Sequence, residues 1–152
     1  MASNSKENAW TGTTGTVNNI WWKLYTYAQA STTTNWACPS GWRLPTDAEW
    51  TALETKLNGG TVCRTADWWQ CPWLWWSGNI SKNTENNMIQ ALKIPLAGYR
   101  MTDGVTFSNR GYDAHLWSSG ASTRYFDWDI DTVYRYTYDT SYGFSVRCIK
   151  NQ

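Results

Sequence analysis

Helical signals gathered in the first third of the chain, followed by many short strands, predict an α+β fold in one domain. Three observations carry that expectation. A complete helix signature lies in CPSGWRLPTDAEWTALETKLNGG, residues 38–60. From residue 89 onward side chains alternate in short runs, and Asp103-Gly104 is a hairpin turn signal. The 152 residues hold no internal repeat, and that length suffices for one core burying roughly two thirds of its unfolded surface.

The elements follow in order. Residues 1–21 are rich in Ser, Thr, Asn and Gly, with Trp10 as the one anchor, and read as a polar lead-in or an edge strand before a single domain over 22–152. In WKLYTYAQA, residues 22–30, Leu24, Tyr27 and Ala28 stand at helical spacing and predict a short first helix. Thr46 with Glu49 three residues later forms a capping box, preceded by Pro45. Trp50, Leu53 and Leu57 then recur at i, i+3, i+7 until Gly59-Gly60, predicting a second helix over 47–57. Residues 61–87 keep no period, Pro72 interrupts them, and they read as a long irregular loop region carrying short strands. In IQALKIPLAGYRM, Ile89, Ala91, Lys93 and Pro95 alternate with Gln90, Leu92, Ile94 and Leu96, predicting a strand or strand pair. Further strands are expected over 114–117, 123–130, 133–138 and 143–149.

A formal net charge of +1 gives a weak overall field, which argues against duplex DNA or an anionic membrane as partner. No apolar stretch approaches the ~18 residues of a membrane span. The start, MASNSKENAW, lacks the apolar segment of a secretory signal, so either a leader has been removed or the chain reaches its location another way. The composition departs from the ordinary in its 13 Trp and 9 Tyr beside 3 Phe. Trp and Tyr join an apolar body to a polar tip and suit half-buried sites and contact surfaces. With aliphatic residues scarce, roughly two thirds of the tryptophans are expected in the core.

Cys38, Cys63, Cys71 and Cys148 lack the paired short spacing of a zinc ribbon or knuckle, and no metal or cofactor is expected. Three disulfide connectivities are possible. Cys63 and Cys71 flank a short loop and are natural partners, which would leave Cys38 to reach Cys148. A bridge closing so long a loop stabilises by ~4–5 kcal/mol in the chain-entropy picture and implies an oxidising compartment or an exposed particle surface. The alternative is four buried thiols in a cytosolic protein.

YTYAQA (25–30), CPSGWRLPTDAEW (38–50), AGYR (97–100), LWSSG (116–120) and YGFSVRCIK (142–150) occur in this order, and over residues 22–150 the chain resembles the Fibrobacter succinogenes major paralogous domain family of bacterial secreted or surface modules. The resemblance implies a C-type-lectin-like fold, with two helices packed on a small twisted antiparallel sheet whose first and last strands meet. It also implies that a cysteine by the first helix and one in the last strand can bridge, as Cys38 and Cys148 would. Between 63 and 88 the chain departs from the family, where DWWQCPWLWW and the extra cysteine pair replace the usual text.

Similar folds serve as variable proteins of diversity-generating retroelements, in which adenine mutagenesis cannot produce Lys, Glu, Gln, Met or Trp at diversified codons. Between Ser118 and Tyr142 this chain holds none of those types except Trp128. The resemblance therefore implies a non-enzymatic binding or display domain on a phage particle, virion or cell surface.

In RYFDWDIDTVYRYTYD, period two places Arg124, Phe126, Trp128 and Ile130 on one face and Tyr125, Asp127, Asp129 and Asp131 on the other. The first face is apolar enough for a core. The second is expected to be wet, because three buried carboxylates would each cost several kcal/mol. Tyr134, Tyr136 and Tyr138 share a face opposite Val133, Arg135 and Thr137. Tyr with small polar residues is how antibody-type contact loops are built. The candidate ligand-binding face is therefore Tyr125, Asp127, Asp129, Tyr134, Tyr136, Tyr138 and Asp139, joined by Tyr112 and His115. The competing reading is a solvated sheet face with cross-strand Tyr pairs.

Trp68, Trp69, Trp73, Trp75 and Trp76 would stack on sugars or anchor an interface, or else build a substitute core for their loop. The alternating Asp127, Asp129 and Asp131 suggest calcium, but such a site needs six or more converging oxygens, and the acidic-Pro-Asn tripeptide of sugar-binding C-type lectins is absent. No GxSxG, HExxH or P-loop pattern occurs, and His115 is the only histidine, so no catalysis is expected. The expected partner is a protein or a glycan on a cell or particle surface, not nucleic acid and not a membrane interior; a structural surface or filament subunit is the further alternative.

Overall fold

The computed structural model describes Ala2–Ser3 and residues 23–32, 37–58, 88–129 and 133–151. In chain order the elements are β1 (Ala2–Ser3), α1 (Tyr27–Ser31), β2 (Trp42–Arg43), α2 (Asp47–Asn58), α3 (Met88–Ala91), β3 (Tyr99–Arg100), β4 (Phe107–Ser108), β5 (Asp113–Trp117), β6 (Ser122–Asp127), β7 (Tyr134–Thr137) and β8 (Arg147–Lys150). The fold is thus α+β with small antiparallel sheets. The expectations for Trp10, for the Cys63–Cys71 pair, for Trp68, Trp69, Trp73, Trp75 and Trp76, and for Ile130 and Asp131 fall outside the described residues.

The second helix forms where its signature predicts. Glu49 N–H donates to Thr46 Oγ1 at 3.2 Å and Thr46 N–H donates to Glu49 Oε2 at 2.8 Å, so the capping box satisfies donors at both ends of the first turn. Arg43 grips the same carboxylate through two contacts of 2.7 Å, tying β2 to the helix start. The Arg43 guanidinium and the Thr46 amide together push the Glu49 carboxyl down to about 2.

The first helix is shorter and later than 22–30. It begins after Thr26, whose hydroxyl accepts from Gln29 N–H in a second capping box. Tyr25 is instead extended, exchanging backbone hydrogen bonds of 2.8 and 2.9 Å with Phe144, so pairing across the fold overrides local helical spacing. The strand expected from Ile89 onward is replaced by α3 and an irregular run. Met88, Ile89 and Ile94 all point into one core, and Lys93 takes φ 50° to turn the chain, closing the helix with Ile94 N–H on Ile89 O at 2.7 Å. Of that stretch only Tyr99–Arg100 forms a strand, paired with Phe107–Ser108 across the Asp103-Gly104 turn, while Gly98 adds an isolated bridge to Ala114. In AGYR, Gly98 takes φ +65°, and a Cβ there would lie 2.0 Å from Ser108 O, so no other residue fits.

β5, β6 and β7 form one antiparallel sheet, in register at His115–Tyr125 and Tyr125–Tyr134. β8 lies between β1 and β2, so the N-terminal and C-terminal strands meet, and the Cys38–Cys148 disulfide fastens that region across 110 residues. Gly143–Ser145 makes only isolated bridges, so the final ladder begins at Arg147 and not at 143.

The β5-β6-β7 sheet has a core on each face. Ala114, Leu116 and Phe126 pack with Trp50, Met88, Ile94 and Val133, while Trp117 packs with Tyr25, Phe144, Val146 and the disulfide. Trp128 departs from its expected core position and is 53% exposed. β6 ends at Asp127 and the chain bends there, so period two no longer governs the next side chain. Arg124 does face the helix side, fully buried against α2.

Candidate functional site

On the Trp117 face, period two lines up Asp113 and His115 of β5 with Asp127 and Tyr125 of β6 and then Tyr134 and Tyr136 of β7. Beyond β7, Tyr138 continues the row, and the closing segment adds Tyr142 and Phe144, while Tyr99 enters from β3. Together with Asn109, all of these except Asp127 enclose an open cavity of about 450 Å³.

His115 sits at the centre of the rings. It stacks on Phe144 at 4.7 Å between centroids and meets Tyr99 at 5.3 Å, Tyr125 at 4.8 Å and Tyr138 at 5.2 Å. The outer rim is a tyrosine ladder: Tyr134 stacks on Tyr136 at 5.7 Å, and Tyr136 meets Tyr138 edge-on at 5.8 Å. Exposure rises along it, from buried His115 to Tyr136 at 43%. The rings are therefore neither sunk against the helices nor spread as a flat solvated face; they are the walls of a concavity.

The floor is polar. Asp113 is 2% exposed, and its Oδ2 accepts from Asn109 Nδ2 at 2.7 Å while its Oδ1 has no hydrogen-bond partner among the described residues. Asn109 holds that position with φ 58°, a conformation Asn tolerates better than most residues. Burial pushes the Asp113 carboxyl up to about 6, with Asn109 opposing and Asp127 adding to the rise. Burial pushes His115 down to about 4, so its imidazole is neutral at pH 7. Its Nε2 lies 3.8 Å from Asp113 Oδ1, beyond hydrogen-bond reach, and its Nδ1 has no partner among the described residues. The Tyr125 hydroxyl donates to Asp127 Oδ2. Burial opposes ionisation of Asp127, but that hydroxyl and the amides of Asp129 and Trp128 outweigh it and hold the carboxyl below the usual range. Burial and neighbouring negative groups raise the Tyr125 and Tyr138 hydroxyls, the latter up to about 12, so both stay protonated.

The structure brings His115, Tyr125, Tyr134, Tyr136 and Tyr138 of the candidate face together. Asp127 stands behind Tyr125 as its acceptor. Tyr112, Asp129 and Asp139 do not line the cavity. Tyr112 is 62% exposed and its carbonyl accepts from Trp128 N–H, Asp129 N–H donates to Asp127 Oδ1, and Asp139 accepts from Ser141 N–H to shape the turn before Tyr142. Sequence reasoning missed Tyr99, Asn109, Asp113, Tyr142 and Phe144. For Asp113 a signal existed: a strand starting one residue earlier than 114 places it beside His115 on the same face. Among the described residues, no three His, Cys, Asp or Glu side chains are gathered as a metal ion would need.

The family model described as Fibrobacter succinogenes major domain matches residues 1–150, and so includes the polar lead-in. No curated protein and no solved structure matches the chain.

Proposed function

This chain belongs to the Fibrobacter succinogenes major domain family, and from that premise we propose that it is a non-enzymatic display domain of C-type-lectin-like fold that captures a protein ligand in its aromatic cavity. The observation that carries the reading is the convergence of six tyrosines, from three separate parts of the chain, on one concavity with a polar floor. Tyrosine offers large contact area at low conformational-entropy cost, and concave sites of this size with few placed polar groups are where ligands bind. Tyr112 and Trp128, joined through their backbones, are exposed as well and add aromatic surface outside the cavity lining.

Absence of catalysis is part of the proposal. Among the described residues, no Ser, Thr or Cys lines the cavity for the imidazole to activate, and an imidazole lowered to about 4 is a weak base. The Cys38–Cys148 bridge supports a location outside the reducing cytosol, on a cell or virion surface. We assign the diversified role, as a retroelement's variable protein, on the residue types between Ser118 and Tyr142, a segment that includes four of the wall tyrosines up to Tyr138 and ends on a fifth.

Two measurements test this. Sibling copies of the gene should differ chiefly within 112–142 and agree over 143–150, beside a near-identical template repeat that differs at adenines. Evenly scattered differences and no repeat would remove the retroelement role. Separately, labelled domain applied to arrays of surface proteins and of glycans should bind proteins, and Tyr134→Ala with Tyr136→Ala should abolish that binding. Capture by glycans alone, or capture unaffected by the double variant, would refute the protein-binding site.

A further inference from the structure

Resting on the ligand-binding reading above, we infer that the cavity receives an organic cation, the side chain of a lysine or arginine on the protein ligand, with its charge against Asp113. The Asp113 side chain is almost fully buried, yet one of its two carboxylate oxygens has no partner among the described residues. An acceptor left so in a dry site is costly unless something arrives to pair with it. Among the described residues nothing in the lining supplies that charge: none is Lys or Arg, and the Nε2 of neutral His115 stays 3.8 Å away.

The surroundings favour a cation over a neutral group. Asp127 stands directly across the strand pair from Asp113 and adds a second negative charge. The rings of Tyr99, Tyr125 and Tyr138 gather about His115, next to Asp113 on the same face, and aromatic faces carry the negative side of a quadrupole that attracts ammonium and guanidinium groups. The open cavity gives a four-carbon stem apolar walls along its length, while the charged end reaches the floor. A sugar hydroxyl would donate to the free oxygen but leave both carboxylates without a counter-charge.

The test uses the intact, oxidised domain and needs no identified ligand. Two-dimensional NMR titrations compare the blocked amino acids N-acetyl-lysine methylamide and N-acetyl-arginine methylamide with the norleucine analogue, an uncharged near-isostere of lysine, and with a methyl glucoside. At least one cationic probe should shift the His115 and Tyr125 resonances and bind on the order of tenfold more tightly than norleucine, a margin in the range of a cation–aromatic contact. Asp113→Asn, which keeps shape and the Asn109 neighbour, should erase the margin while the spectrum remains that of a folded domain. Equal binding of norleucine, tighter binding of the glucoside, or no shift with either cation overturns the inference. If the cations fail while Tyr134→Ala with Tyr136→Ala still abolishes capture on the protein array, the ligand-binding reading stands without the cation.

Discussion

Arg124 Nε donates to Glu54 Oε1 at 2.7 Å, and both side chains are fully buried, joining the middle strand of the aromatic sheet to α2. The guanidinium also reaches Asp47 Oδ1 at 2.7 Å and Asp47 O at 3.1 Å. Asp47 in turn receives exposed Arg135 at 2.9 Å, so one carboxylate in the helix's first turn serves two strands. Breaking a buried pair on one side leaves a charge without its partner, whereas replacing both sides with apolar groups does not. Arg124→Met should therefore destabilise by about 3–5 kcal/mol in chemical unfolding, and adding Glu54→Leu should restore most of it. A single variant within about 1 kcal/mol of the parent would show that the pair does not hold the sheet to the helix.

The tyrosine wall should be separable from the core beneath it. Tyr134 is half-buried and Tyr136 exposed, so changing both to alanine should cost only about 1–2 kcal/mol, mostly the ring stack between them. Phe144, fully buried under His115 and Trp117, should cost about 3–5 kcal/mol as alanine. Thermal unfolding of the two variants measures the contrast, and similar losses would mean that the wall is core.

The Cys38–Cys148 bridge spans 110 residues, beside the pairing of β1 with β8. Replacing both cysteines by alanine should lower stability by about 4–5 kcal/mol through the freedom returned to the unfolded chain. Guanidinium unfolding with and without the bridge gives the value directly.

Two buried groups at the cavity floor respond to pH in opposite directions. Asp113, raised from 3.8 to about 6 by burial, contributes stability that is present below its unfolded value and lost as pH rises through 6. His115, lowered from 6.5 to about 4 by burial, contributes stability that is present above 6.5 and lost as pH falls through 4. In the parent protein the two oppose one another across that window. Asp113→Asn removes the first and leaves the second, so the variant should gain on the parent by about 3 kcal/mol as pH rises from 3.8 through 6. Parallel stability curves would show that Asp113 ionises as freely in the fold as in water.

Much of the framework was legible in the residues. Thr46 and Glu49 announced α2, Asp103-Gly104 announced the β3–β4 hairpin, and alternation expected over 123–130 and 133–138 put tyrosines on one face, although β6 stops at Asp127. Half of the cavity was legible for the same reason, since His115, Tyr125, Tyr134 and Tyr136 lie on neighbouring strands in register and Tyr138 continues their row just past β7. The other half was not. Tyr99 comes from the short β3–β4 hairpin, and Tyr142 and Phe144 from a closing segment tied to the rest through isolated bridges; no local spacing records that these two segments meet the sheet.

The sequence by itself therefore determined where α2 and the central strands run and which side chains share a strand face, because caps, turns and period two act within a few residues. Only the tertiary structure decided that Arg124 is buried on Glu54 70 residues away, that Tyr25 extends along Phe144 instead of joining a helix, that Trp128 faces water, and that Asp113 sits dry beneath tyrosines. Each of those outcomes depends on what a distant segment places beside the residue, and burial and unmet charge exist only once that neighbour is in position.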